Sequence, residues 1–200
     1  MEIRRFVVGP LLTNCYLLLD GEVAALVDPG GLSPELELAL ERAKLRYLLL
    51  THGHFDHADA VESLRARTGA ALLYHPEERA TFWSLGRTPP PLDGELSEGD
   101  RVRLGGEELT VWHLPGHSPG SVAFLWERGK TVLVGDVLFA GSVGRTDLPG
   151  GSWELLQRSL RRLLSLGDDW RILPGHGPET HLARERTHNP YLKELEHGAA

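Results

Sequence analysis

The chain has 200 residues, 41% of them hydrophobic, which suits one domain with a proper core and includes no apolar run long enough for a membrane span. Its formal net charge of −7 disfavours broad electrostatic binding to nucleic acid. The lone Cys15 excludes an intramolecular disulfide and a cysteine-based metal cage. Met1 to Pro10 carries Arg4 and Arg5 where an export signal would be apolar, so a cytoplasmic location is expected.

In chain order, strands are expected over 3–8, 15–20 and 23–28, the last two joined by the tight Asp20-Gly21 turn. Cys15 lies in an apolar strand and reads as a buried structural thiol. After Asp28-Pro29-Gly30-Gly31 breaks the chain, Ser33 caps a helix running to about Lys44, with Pro34 in its first turn. A buried strand at 47–50 leads into Thr51-His52-Gly53-His54-Phe55-Asp56-His57. A helix from Ala58 to Arg67, a strand at 70–74 and a helix from His75 to Trp83 follow. Residues 84–100, with Pro89-Pro90-Pro91, Gly94 and Gly99, read as a mobile surface loop. Strands recur at 101–104, 108–113, 121–127 and 131–134, before a glycine-containing loop from Phe139 to Ser152. Leu155, Leu156, Leu160, Leu163 and Leu164 mark a helix over 153–165; a strand at 171–173 and a helix from about Thr180 complete the pattern. The order suggests two similar halves.

Three imidazoles and a carboxylate in one short turn make sense where a metal ion collects them. Three more places share one grammar, an apolar run ending in glycine before a potential ligand. They are Gly116-His117, Gly135-Asp136 and Gly175-His176. If all four strand tips lie at one edge, the set is His52, His54, Asp56, His57, His117, Asp136 and His176. Seven donors exceed one four-coordinate ion and suit two ions sharing a carboxylate. The imidazole and carboxylate mixture admits zinc, iron or manganese.

These motifs resemble the metallo-β-lactamase superfamily from Asn14 to about Asn189. The resemblance implies an α/β fold, a four-layer αββα sandwich, over a single domain spanning 1–200. It implies one ion on His52, His54 and His117, a second on Asp56, His57 and His176, and Asp136 bridging them. Gly141-Ser142-Val143-Gly144-Arg145-Thr146-Asp147-Leu148-Pro149-Gly150-Gly151, Leu114-Pro115-Gly116-His117-Ser118-Pro119-Gly120-Ser121, Pro174-Gly175-His176-Gly177-Pro178 and Glu185-Arg186-Thr187-His188-Asn189-Pro190 are similar to short glyoxalase II-like hydrolases. That implies hydrolysis of a small-molecule thioester such as S-lactoylglutathione by a hydroxide held between two divalent ions, zinc and/or iron. Asp56 would serve as a ligand with a supporting base role. Full-length glyoxalase II enzymes carry a longer helical C-terminal region that contacts glutathione; here 24 residues follow His176, so those contacts are not expected.

Around this set, Asp28 either orients a ligand imidazole or forms a turn. Arg145 either binds an anionic group of the substrate or anchors its loop by pairing with Asp147. His75 reads as a helix cap. His113, His181, His188 and His197 read as non-ligands, and Trp83, Trp112, Trp126, Trp153 and Trp170 as core or loop packing. The nearest rival is a mononuclear-iron persulfide dioxygenase, which shares a Gly-Arg-Thr-Asp stretch. A secreted β-lactamase, nucleic-acid processing and a non-enzymatic binding module are weaker readings.

Overall fold

The structure, a computed structural model, describes residues 1–197; the side chains of Glu196 and His197, and with the latter its expected non-ligand role, lie outside the described residues. The first half of the chain builds one sheet. β1 (Glu2–Val8), β2 (Thr13–Asp20) and β3 (Val23–Val27) form an antiparallel meander. α1 (Pro34–Leu40) crosses back so that β4 (Lys44–Leu49) pairs parallel with β3. α2 (Phe55–Ala58) and α3 (Val61–Thr68) lead to β5 (Ala71–Tyr74), and α4 (Glu78–Ser84) leads to β6 (Gly94–Glu95), each strand parallel to its neighbour.

The second sheet comes from the later half. β7 (Arg101–Leu104), β8 (Glu107–His113), β9 (Val122–Trp126) and β10 (Thr131–Gly135) run antiparallel in order. A small hairpin, β11 (Leu138–Phe139) and β12 (Ser142–Val143), precedes α5 (Trp153–Leu163). β13 (Arg171–Pro174) pairs parallel with β10, and β14 (Thr180–His181) closes that edge. α6 (Leu182–His188) and α7 (Pro190–His197) follow. The strand orders are β1-β2-β3-β4-β5-β6 and β14-β13-β10-β9-β8-β7.

Side-chain alternation along the strands sorts the core into layers. Tyr16, Leu18, Ala25, Val27 and Leu49 meet Val111, Phe124, Leu133 and Leu173 between the two sheets. Their sequence neighbours Cys15, Leu17, Leu26 and Leu48 point the other way, onto Leu36, Val61, Leu64 and Phe82 of the first helical layer. Val132, Val134, Leu125 and Ile172 likewise face Leu156, Leu160, Leu182 and Leu192 of the second. Strands apolar on both faces need cover on both, and the outcome is the αββα sandwich. Burial holds the Cys15 thiol well above its ordinary pKa, as suits a structural thiol. Among the described residues no helix is long and apolar enough to cross a membrane.

Several boundaries differ from the sequence expectation, each for a local reason. α1 stops at Leu40 because sheet pairing claims the chain from Lys44, whose N–H donates to Glu22 O. The expected helix from Ala58 begins instead as α2 and restarts as α3, since the Ala60 N–H leaves the helical ladder for Pro29 O. The C-terminal helix is interrupted at Asn189, which is extended ahead of Pro190. Within 84–100 the chain pairs as β6 and Pro90 O accepts the Tyr74 hydroxyl, so that segment is not structureless. Trp83 is 62% exposed rather than packed.

Candidate metal centre

Parallel pairing sets the site. β3 and β4 run side by side, so Asp28 and Thr51 emerge at the same edge; β10 and β13 do the same for Asp136 and His176. A seam then joins the two sheets at that edge. Asn14 N donates to Gly175 O at 2.7 Å, the Tyr16 hydroxyl to Pro174 O at 2.8 Å, and Val122 N to Thr51 O at 2.8 Å. All seven expected donors converge there. His52, His54 and His117 form one group, Asp56, His57 and His176 another, and His52, His57 and Asp136 a third that links them.

Each glycine ahead of a donor is required by close approach. A Cβ on Gly175 would lie 2.1 Å from Asp136 Oδ1, and Gly135 has φ +52°, with Thr51 Oγ1 where its Cβ would be.

Outward contacts orient the rings. Asp28 accepts the Thr51 N–H and hydroxyl, both at 2.7 Å, and the same hydroxyl oxygen accepts His52 Nδ1–H at 3.0 Å. His57 Nδ1 lies 3.0 Å from Asp28 Oδ2, outside straight hydrogen-bond geometry. His117 Nδ1–H donates to Arg145 O at 2.8 Å, and His176 Nδ1–H to Leu11 O at 3.1 Å. With Nδ1 of His52, His117 and His176 committed outward, their Nε2 is the inward lone pair, and His57 Nε2 also faces inward, toward His176. Asp28 is also a left-handed turn residue at φ +53°, so both of its expected roles meet in one side chain.

The inward atoms fit cations. His117 Nε2 and His54 Nδ1 face each other at 2.9 Å, and His57 Nε2 and His176 Nε2 at 3.3 Å. Buried His52 Nε2 and Asp136 Oδ1 have no hydrogen-bond partner. Asp136 Oδ1 lies 3.4 Å from His57 Nε2, and its Oδ2 lies 3.6 Å from Nε2 of both His117 and His176, between the two groups. Asp56 Oδ2 accepts the Thr13 hydroxyl at 3.1 Å and lies 3.1 Å from His176 Nε2. Lone pairs turned on one another, with carboxylates between them, are the donor set a pair of divalent ions satisfies.

The electrostatics agree. Burial, then the neighbouring His57, His54 and His117, push His52 well below the ordinary imidazole range. Burial and His117 bring His54 down to about 4. Burial opposes ionisation of Asp56, yet contact with His176 and the charge of His57 hold its carboxyl below the usual range. His52 and His54 thus stay neutral and Asp56 and Asp136 stay ionised, ready for metal; burial opposes a charge on His57, yet Asp136 and Asp28 raise it well above the ordinary imidazole range.

Two supports were not legible in the sequence. Glu78, fully buried, accepts Gly53 N at 2.6 Å, Ser118 Oγ at 2.6 Å and Gly120 N at 2.7 Å, clamping the His52–His57 turn to the His117 loop. From behind, buried Glu185 accepts Gly141 N at 2.8 Å, and Asn189 Nδ2 donates to Ser142 O at 3.0 Å. The late Glu185-Arg186-Thr187-His188-Asn189 motif therefore braces the loop that walls the site.

Of the other expected residues, Arg145 stands at the rim, where its guanidinium donates twice to Asp147, each bond 2.7 Å. His75 Nδ1 accepts Glu77 N at 3.3 Å just ahead of α4, but Glu77 is the N-cap residue and no side chain caps that helix, so the expected capping role is not found. Glu77 lies with His75 and His113 in a second group. The two rings stack at 4.2 Å and 9°, so their in-plane lone pairs do not meet at one point. Burial first, then His113, lower the pKa of His75 below its ordinary 6.5. The folded state thus resists a proton that the unfolded chain accepts, and this contribution, present above pH 6.5, is lost as pH falls toward the depressed value. The His75 contribution to stability should decline as pH falls below about 6.5, and His75→Asn should flatten that part of the slope. Urea midpoints across the range check this, and parallel pH slopes for both proteins would contradict it.

A cleft of about 610 Å³ opens over the two donor groups, its wall largely apolar. The family model described as the metallo-beta-lactamase superfamily matches residues 8–176. The hydroxyacylglutathione hydrolase GloC of Haemophilus influenzae is 38% identical, covering 96% of this chain and 98% of its own. A crystal structure of TTHA1623 in a di-iron-bound form is 42% identical with a TM-score of 0.80, covering 94% of this chain and 100% of that one. The BLEG-1 B3 metallo-beta-lactamase is 35% identical with a TM-score of 0.88, covering 96% and 99%. Fold, converging donors and sequence agree, and this chain is a metal-dependent enzyme that belongs to the metallo-β-lactamase superfamily.

Proposed function

We propose that the chain, as one domain, hydrolyses a small-molecule thioester, with S-lactoylglutathione the first candidate. The observation that carries this reading is the pair of donor groups sharing Asp136 beneath an open cleft. His52, His54 and His117 would hold one ion, Asp56, His57 and His176 the other, with zinc or iron suited to both. Bound there, the ions supply Lewis acidity and a water nucleophile near neutral pH.

The chain's own residues do the rest. Asp28, Thr51, Arg145 O and Leu11 O fix which ring nitrogen faces inward. Asp56, held by Thr13, keeps a carboxylate at the reacting face and is the candidate supporting base. Phe55 and Phe139 line the cleft and offer apolar surface to the acyl group. Beyond the donor set, Ser142 and Arg145 are the polar side chains of the lining among the described residues, none of which is lysine, tyrosine or cysteine. A thiol of pKa about 8.5 leaves as thiolate without a donor, whereas an amide nitrogen requires one. That favours a thioester over a β-lactam, and the likeness to the Haemophilus influenzae hydrolase supports the same choice.

The test is metal analysis with three assays on the purified protein: S-lactoylglutathione cleavage, oxygen uptake with glutathione persulfide, and β-lactam hydrolysis. Two ions per chain with thioester turnover and no oxygen uptake is the expected result. One iron with stoichiometric oxygen uptake would move the assignment to a dioxygenase, and turnover of the β-lactam alone to a lactamase.

A further inference from the structure

We infer that the cleft selects thioesters through an apolar group, so that neutral hydrophobic thioesters are its better substrates and the carboxylates of a glutathione portion go unpaired. This rests on the thioester reading but puts a neutral hydrophobic thioester ahead of S-lactoylglutathione, its first candidate. Leu11, Phe55, Leu85, Phe139, Val143 and Leu148 form the wall above the donors. Leu11 is 51% exposed and Phe55 38%, so both offer apolar surface that a substrate can cover. The volume of about 610 Å³ exceeds what a small acyl group fills, leaving the wall to read the thiol side as well.

Charge points the same way. Glutathione carries two carboxylates, and moving a carboxylate against apolar walls is costly without a partner. Among the described residues Arg145 is the only Lys or Arg in this lining, and both of its bonds in the ion pair go to Asp147. The remaining ionisable groups of the lining are the acids and imidazoles of the donor set, already committed to the centre. A phenyl or alkyl group finds cover in such a cleft, while a charged tripeptide finds one occupied cation.

The experiment uses the metal-loaded chain and two thioesters with the same acyl group, S-lactoylglutathione and the benzyl thioester of lactate. Specificity, kcat/KM, should favour the benzyl thioester by at least about tenfold, mostly through KM. Leu11→Lys, an exposed position that tolerates the change, should swing that ratio toward the glutathione thioester by about tenfold. Calorimetric titration with two sulfides that cannot be hydrolysed, benzyl methyl sulfide and S-methylglutathione, reads the cleft without turnover and should show the benzyl compound binding more tightly. Equal or tighter binding of S-methylglutathione, or a kcat/KM that favours S-lactoylglutathione, overturns the inference. If neither thioester is cleaved while the benzyl sulfide binds more tightly, the thioester reading falls and the apolar assignment of the cleft stands.

Discussion

Replacing His54 by alanine is expected to lower turnover by at least about a thousandfold, because several kcal/mol of transition-state charge stabilisation would rest on the ions. His54 Nδ1 lies 2.9 Å from His117 Nε2, and together with His52 these atoms make the first donor group. Without the His54 ring only two imidazoles of that group remain, too few to hold an ion against water. The fold should survive. His54 begins α2 through its backbone and makes no side-chain cap, so its ring supports no helix. Far-ultraviolet circular dichroism should therefore be near wild type while metal content falls by about one ion per chain. Wild-type turnover in the variant would remove His54 from the centre, and with it the proposed ligand set.

Glu78→Ala is expected to be the most destabilising single change near the site. The side chain is 0% exposed and accepts from two backbone N–H groups and one hydroxyl. Alanine leaves the two backbone donors buried and unpaired, at about 1–3 kcal/mol each, while Ser118 Oγ keeps Ser121 Oγ at 2.6 Å, so a loss of about 3–5 kcal/mol follows. For a chain of this size that lowers Tm by about 10 °C or more. Burial raises the Glu78 carboxyl above its ordinary pKa, while bonds from Ser118, Gly53 and Gly120 pull it back. Because Gly53 lies between His52 and His54 and Ser118 follows His117, the ion of the first group should weaken more than that of the second, by about 10–100-fold. Calorimetry and metal titration measure the two effects. A Tm within about 2 °C of wild type, with both ions bound normally, would show that Glu78 is not the clamp.

Much of this was legible in the sequence because the relevant signals are local. Continuous apolar strands such as Tyr16 to Leu19 already demand cover on both faces, and the structure sorts them into the layers that pattern requires. The seven donors stand out because histidines and aspartates clustered in one turn, or directly after glycine at the ends of buried strands, are costly unless something collects them. Glu78 gave no such signal. In His75-Pro76-Glu77-Glu78 it resembles an ordinary acidic residue in a first helical turn, and its partners lie 25, 40 and 42 positions away. Two-residue strands such as β6 are likewise invisible to periodicity. The Asn189 motif was visible as a resemblance, but its bracing of the Phe139–Ser142 loop appears only once α6 packs behind it. Trp83 differs because aromatic character suggests burial, whereas α4 turns that face to solvent.

The seam between the sheets has a consequence for how the protein matures. His57 and His176, whose inward nitrogens approach to 3.3 Å, stand 119 positions apart. The early half supplies His52, His54, Asp56 and His57; the later half supplies His117, Asp136 and His176; neither half contains a complete donor group. During synthesis the first four emerge long before their counterparts, so loading with metal is a closing event, reached only after both sheets have formed and docked. Cation uptake then reports completed assembly, and a chelator present during refolding should leave the last step of that assembly without its reward.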